Sequence, residues 1–164
     1  MKKYFLILLL LIVGFSACQK IQTTTQAQKQ VVIDDQKIQD YIKANNITAT
    51  KDPATGVYYK VINEGNPIDA NGDQAKKPTA LSTVQVTYTY GYLNGLSIGE
   101  TTRLKARVSS FIAGLQVGIP KLYTGGRILL IIPSGQAYGA GEVNGIPRNS
   151  VLVYTLDLDG VTAN

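Results

Sequence analysis

The 164-residue sequence contains no histidine. That absence excludes Ser-His-Asp and Cys-His nucleophilic catalysis and most zinc sites. It has one cysteine, Cys18, so no disulfide can form within the chain. Charge is scarce: only 16% of residues are Asp, Glu, Lys or Arg, against a usual fraction of about a quarter. The formal net charge is +5, of which Lys2 and Lys3 supply two, and the other basic residues are scattered. Nucleic acid is therefore not an expected partner. The apolar run near the start, Phe5–Phe15, falls short of the roughly 20 residues that span a bilayer. A glycine-rich stretch, Gly139-Ala140-Gly141 with Gly145, lacks both a P-loop lysine and a following helix start, which excludes a nucleotide loop.

What is present centres on Gly125–Pro147, GGRILLIIPSGQAYGAGEVNGIP. An apolar segment, Ile128–Ile132, is stopped by Pro133, which cannot donate to a sheet ladder. A glycine-rich loop follows, carries one aromatic, Tyr138, and closes at Ile146-Pro147. A strand that feeds an aromatic-bearing loop suits the rim of an apolar pocket.

Residues 1–17 have the layout of a secretory signal: Lys2 and Lys3, an apolar run, then Ser16-Ala17 before Cys18. Phe15-Ser16-Ala17-Cys18 resembles a bacterial lipobox, which implies cleavage before Cys18 and lipidation of its thiol. Residues 18–32 then form the lipidated N-terminus and a flexible tether, since Gln19–Gln30 offers little that could pack. By resemblance to lipoproteins of Gram-negative bacteria, Gln19 in second place implies the outer membrane, facing the periplasm. Residues 33–52 read as a short helix and turn. Asp34 or Asp35 is the expected cap, Ile38, Tyr41 and Ile42 share a face, and Asn45-Asn46 is the stop.

The folded domain is expected over 53–164. Val57–Asn63 reads as a strand, and Glu64–Ser82 as a long loop. Within that loop Asp69, Asn71 and Asp73 have the spacing that opens a calcium loop. Gln74 and Ala80 stand where that loop needs glycine and glutamate, so the stretch reads as a turn. In Thr83–Tyr92 the residues Val84, Val86, Tyr88, Tyr90 and Tyr92 alternate with small or polar ones, which puts all five on one face. Asn94-Gly95 is a hairpin turn signal, and Leu104–Val108 is a weaker strand. Phe111–Leu122 holds too much glycine for a long helix, and Pro120 restricts it to one or two turns. Val151–Val161 alternates again: Leu152, Tyr154, Leu156 and Leu158 face a core, Asp157 and Asp159 a wet side. Four or more antiparallel strands with one short helix predict an α+β fold.

Four ordered segments, VTYTYGYLNG (86–95), FIAGLQVGI (111–119), GGRILLIIPSGQAYG (125–139) and GIPRNSVLVYTLDL (145–158), together resemble the FKBP-type peptidyl-prolyl isomerases. The resemblance covers about Gly56 to Val161. It implies a curved antiparallel sheet wrapped over one short α-helix, with an apolar pocket between them. It further implies a monomer that needs no cofactor or metal and isomerises Xaa-Pro bonds of unfolded or partly folded exported proteins. Macrolides are implied as ligands of the same pocket. The resemblance assigns catalysis to the Tyr138 hydroxyl and the Ile112 backbone N–H. It assigns substrate binding to Tyr88, Ile98, Phe111, Leu115, Ile146 and Tyr154, with Tyr90 the alternative to Tyr88. Two departures stand out. The family's Phe-Asp pair aligns with Ile98-Gly99, so the carboxylate is missing unless Glu100 replaces it, and the usual pocket tryptophan is Leu115. Both imply weaker catalysis, or a binding module on the same fold.

Overall fold

The structure, a computed structural model, describes residues 26–162. The expected leader, Cys18 and the tether up to residue 25 lie outside the described residues. The chain divides into two compact units, Met1–Ile33 and Asp34–Asn164. Of the first unit, the described residues 26–33 are helical, with Val31, Val32 and Ile33 exposed. Among the described residues no helix is long and apolar enough to cross a membrane.

A helix, α1, covers 26–44, so it starts well before the expected Asp34 or Asp35 cap. The stretch Gln26–Gln30 is polar, but Gln, Ala and Lys are good helix formers. Polarity there signals an exposed helix surface and not a tether. The stop at Asn45-Asn46 is as expected. Asn46 takes φ 52°, the Ile47 N–H reaches the Ile42 carbonyl at 2.9 Å, and the Asn46 N–H reaches the Lys43 carbonyl at 3.3 Å. This pairing satisfies carbonyls that a helix end leaves open.

Six antiparallel strands follow: β1 Thr50–Lys51, β2 Tyr58–Asn63, β3 Thr83–Tyr92, β4 Ser97–Arg107, β5 Arg127–Ile132 and β6 Leu152–Thr162. Their order across the sheet is β1-β2-β5-β6-β3-β4. The α+β class and the curved antiparallel sheet packed on a short helix, α2 (Ala113–Gly118), are as expected. The loop 64–82 behaves as predicted, with the Asp69 carboxylate accepting from the backbone N–H groups of Asn71 (2.8 Å) and Asp73 (3.0 Å) as a turn-former.

The fourth strand is longer than its sequence suggests. It runs for eleven residues instead of starting at Leu104. Register imposed by the Asn94-Gly95 hairpin, not side-chain pattern, makes Ser97–Arg103 a strand. Two irregularities bend it, between the Val86 and Tyr88 pairings and between those of Tyr90 and Gly91. At the first, Arg103 takes φ 49° and its N–H donates to Thr87 Oγ1 (3.1 Å), while that hydroxyl donates to Asp159 (2.7 Å). An extra residue in one strand increases local twist.

The alternating residues of β3 and β6 do share one face. Val84, Val86, Leu152, Tyr154, Leu156 and Leu158 are buried in the main core with Leu115, Ile119 and Leu122. Each such aliphatic side chain contributes about 1.5–3 kcal/mol by leaving water. The opposite face is not uniformly wet. Ile38 of α1 joins Tyr58, Ile131 and Val151 in a second buried cluster, with Tyr41 and Ile42 packed against it. This explains the unbroken apolar run of β5, since a strand covered on both faces has no need to alternate. Asp35 fastens the same helix, bonding Lys51 (2.5 Å) and the Tyr58 hydroxyl (3.0 Å).

Helix α2 approaches β5 closely because Gly114 and Gly118 carry no Cβ. A methyl at Gly114 would collide with the Ile132 side chain, and one at Gly118 would meet Leu130 Cδ1 at 2.6 Å. Alanine would add about 1 kcal/mol of helix propensity at Gly114, but overpacking costs about 1–3 kcal/mol. Gly114→Ala should therefore lower stability by about 1 kcal/mol, the middle of a net range of about 0–2 kcal/mol, read as a lower urea midpoint at unchanged slope.

Candidate active site

All eight residues singled out from the sequence fall in one cluster. Leu115, Ile146 and Tyr154 are buried in it, and Tyr88, Ile98, Phe111, Ile112 and Tyr138 are half-buried against it. The half-buried five are the surface that another molecule can touch. Leu115, only 2% exposed, is part of the main core packed against them.

Strand register builds the aromatic wall. Tyr90 lies directly opposite Tyr154, and their rings stack at 5.0 Å and 12°. Tyr88 stands edge-on, 6.0 Å from Tyr90 and 5.5 Å from Tyr154. Tyr88 and Tyr90 therefore both stand in this group of rings. Ile98 lies at the second irregularity of β4, between the Gly91↔Ser97 and Tyr90↔Gly99 pairs, and packs on the same cluster.

Glu100 does not replace the missing carboxylate. It pairs with Thr89, is exposed, and so lies on the face away from the tyrosines. Gly99 opposes Tyr90, and a side chain built there would meet the Tyr90 ring at 3.3 Å and its hydroxyl at 3.6 Å. Tyr90 thus occupies the space next to position 99. The group that pairs with Tyr88 is Thr101, which the sequence did not single out; only the bulge in β4 turns it to this face.

The Tyr88 and Tyr154 phenols are held neutral. Burial raises the Tyr88 hydroxyl above its ordinary range, with a hydrogen bond to the Thr101 hydroxyl pulling the other way. The Tyr154 hydroxyl is pushed up strongly, first by burial and then by the neighbouring Tyr138.

Ile112 is the residue before α2, and its carbonyl accepts from Leu115 (3.0 Å) and Gln116 (3.2 Å). Its own N–H makes no hydrogen bond among the described residues. The Gln116 side chain donates to the Phe111 carbonyl (2.7 Å) and fixes the Phe111-Ile112 peptide. Gln116 was not anticipated; a lone amide within the apolar run FIAGLQVGI was the available signal.

The Tyr138 loop is ordered by its own backbone. A short 3-10 turn, Ser134–Gln136, is closed by Ala137 N–H and Gly139 N–H donating to the Ser134 carbonyl at 3.0 and 2.8 Å. Val143 and Ile146 pair across an Asn144-Gly145 turn in which both residues have positive φ, 50° and 78°. Asn-Gly suits that conformation, and it carries Ile146 back into the core.

The cluster thus brings together apolar side chains, hydroxyl-bearing rings and the Ile112 N–H, a backbone donor without a partner among the described residues. The family model described as FKBP-type peptidyl-prolyl cis-trans isomerase matches residues 74–159. The chain is 30% identical over 150 residues to the FKBP-type peptidyl-prolyl cis-trans isomerase FkpA of Escherichia coli K12, covering 88% of this chain and 53% of that protein. It is 36% identical over 94 residues to FK506-binding protein 1 of Saccharomyces cerevisiae, covering 53% of this chain and 82% of that protein. The crystal structure of FkpA from Escherichia coli superposes with a TM-score of 0.67 at 25% identity, covering 92% of this chain and 70% of that one. The chain spans about half the length of the FkpA relatives, 55% and 53% in two cases. With the matched span taking in β3 through most of β6, the whole tyrosine wall and the Tyr138 loop, the chain belongs to the FKBP-type peptidyl-prolyl cis-trans isomerase family.

Proposed function

We propose that the chain is a peptidyl-prolyl cis-trans isomerase acting on Xaa-Pro bonds of exported proteins. The observation that carries this reading is the convergence on one cluster of Tyr138, the half-buried apolar side chains and Ile112, whose N–H has no partner among the described residues. Rotation about a peptide bond costs about 18–20 kcal/mol because conjugation is lost at the twisted midpoint. For Xaa-Pro the two planar forms differ by only about 0.5–1 kcal/mol. The task is therefore to lower a barrier, and no covalent bond has to break. A site does this by holding the twisted amide better than either planar form. Apolar walls strip water from the amide and disfavour its charge-separated resonance form. The Ile112 N–H and the Tyr138 hydroxyl donate to substrate carbonyls and fix the chain on either side of the rotating bond. Tyr88, Tyr90 and Ile98 enclose the prolyl ring, over a floor shaped by Leu115, Ile146 and Tyr154. A macrolide with a proline-like ring competes for the same walls.

A second reading keeps the fold and the pocket but makes the chain chiefly a binder of unfolded segments. It is favoured by one observation: the pocket face of β4 offers Gly99 and Thr101 where the family usually supplies a carboxylate. Suppressed aggregation of an unfolded client without faster isomerisation would select this reading.

Anchoring by a lipid on Cys18 completes the proposal, placing the domain in the cell envelope at the outer membrane, facing the periplasm. The support is the lipobox-like FSAC sequence. Cys18→Ser should move the chain from the membrane to the soluble fraction on cell fractionation.

In a protease-coupled assay on a short Xaa-Pro peptide, the chain should accelerate isomerisation at micromolar concentration. Tyr138→Phe should lower kcat/KM roughly fivefold, the size expected for one hydrogen bond worth about 1 kcal/mol. No acceleration by the unmodified chain would refute the enzymatic reading. The pH profile gives a second check. The Tyr88 and Tyr154 hydroxyls are displaced upwards, so they stay protonated well past neutrality, and there is no histidine to titrate. The kcat/KM should be flat from about pH 6 to about pH 9, a range clear of ordinary carboxylate and phenol titration; a bell-shaped profile would contradict catalysis by shape.

A further inference from the structure

Asp34 is buried to 1% exposure, yet it is a carboxylate on α1 and outside the span 74–159 matched by the family model. Its Oδ2 accepts two hydrogen bonds from Ser134, one from the backbone N–H (2.8 Å) and one from the hydroxyl (2.6 Å). Ser134 is itself only 2% exposed. Burying a carboxylate is expensive unless its hydrogen bonds are made, and an apolar pair would hold a helix to a sheet as well. What the two bonds add is direction: they hold the Pro133-Ser134 peptide and the Ser134 side chain, and so fix Ser134 at its N–H and its χ1.

That anchoring matters because the carbonyl of the same residue, in the next peptide, accepts from Ala137 and Gly139, the two neighbours of Tyr138. Gly139 in turn accepts from the Asn149 N–H at 2.8 Å, which ties the far end of the loop. A continuous set of hydrogen bonds therefore runs from α1 to both sides of the rim tyrosine. Pro133 has no N–H, so the turn gains no donor from the residue before it. We propose that Asp34 is a positioning residue: through Ser134 it sets the place of Tyr138, so that α1 forms part of the support of the site. This rests on the isomerase reading for its effect on rate, but not for its effect on loop geometry.

The test uses the full chain and four variants, with kcat/KM measured well below the unfolding temperature and the amide NMR signals of the loop recorded. Asp34→Ala should reduce kcat/KM by roughly tenfold, within the range known for remote misplacement of a reacting group. It should shift the Ala137 and Gly139 amide signals while those of Ile128 and Leu156 in the sheet stay in place. Asp34→Asn, which keeps a carbonyl oxygen for Ser134, should recover most of both. Asp35→Asn weakens the same helix through Lys51, Tyr58 and Gln39, none of them in the Tyr138 loop; it should lower thermal stability and leave kcat/KM unchanged. Should Asp34→Ala fail to fold, Ser134→Ala carries the test, since it removes the hydroxyl bond alone, and it too should shift the Gly139 signal. The proposal is overturned if the folded variant, Asp34→Ala or in its place Ser134→Ala, leaves the two loop amides where they were. It is equally overturned if Asp35→Asn damages kcat/KM as much as Asp34→Ala does. If the unmodified chain proves inactive, the isomerase reading fails while the amide signals still decide the role of Asp34.

Discussion

The close approach of α2 to β5 is the constraint on which the site depends. Only with glycine at 114 and 118 can the helix sit down on Ile132 and Leu130. That depth lets Leu115 reach beneath the tyrosine wall and puts Ile112, the residue that opens the helix, against the same cluster. A helix held one side-chain layer further out would leave a gap under the rings. Protein interiors are close-packed, so such a gap would be costly or would be filled by rearrangement. The shape of the site therefore follows from what two positions lack.

Polarity is distributed with the same economy. The pocket side carries hydroxyls, and the charges lie elsewhere. Arg127 and Asp157 stand opposite one another on β5 and β6 and make a two-pronged ion pair at 2.5 and 2.8 Å, largely in solvent. Exposed pairs of that kind contribute little to stability, but this one keeps Asp157 on the outer face while Leu156 and Leu158 go inwards. The wet edge expected for Asp157 and Asp159 is thus partly bonded, since Asp159 also accepts from Thr87. An apolar interior with neutral phenols has few groups to titrate, which fits chemistry that asks for shape and desolvation.

Much of the fold was readable because period-two patterns are local. Thr83–Tyr92 occupies its predicted span, and the inward residues of Leu152–Thr162 face the core as their alternation requires. The candidate site residues rest on the resemblance of four segments, not on any one of them, and they share one cluster. What was missed depends on long-range partners. The first half of β4 has no pattern of its own and exists because β3 is beside it. Thr101 faces Tyr88 only because a bulge shifts the register. The start of α1 was misplaced because a polar helix and a polar tether look alike in composition. Nothing local in the sequence could pair Asp34 with Ser134, a hundred residues away.

The strand order has a consequence for how this chain is made. One half of the sheet is β1-β2-β5 and the other is the β3-β4 hairpin; only the final strand joins them. A ribosome delivers that strand after the other five. Until residues 152–162 emerge, each half presents an open edge to whatever is nearby, and distant pairings of this sort close slowly. A protein proposed to help other chains through a slow step thus has one of its own, and the keystone of its sheet is the sixth strand to be laid.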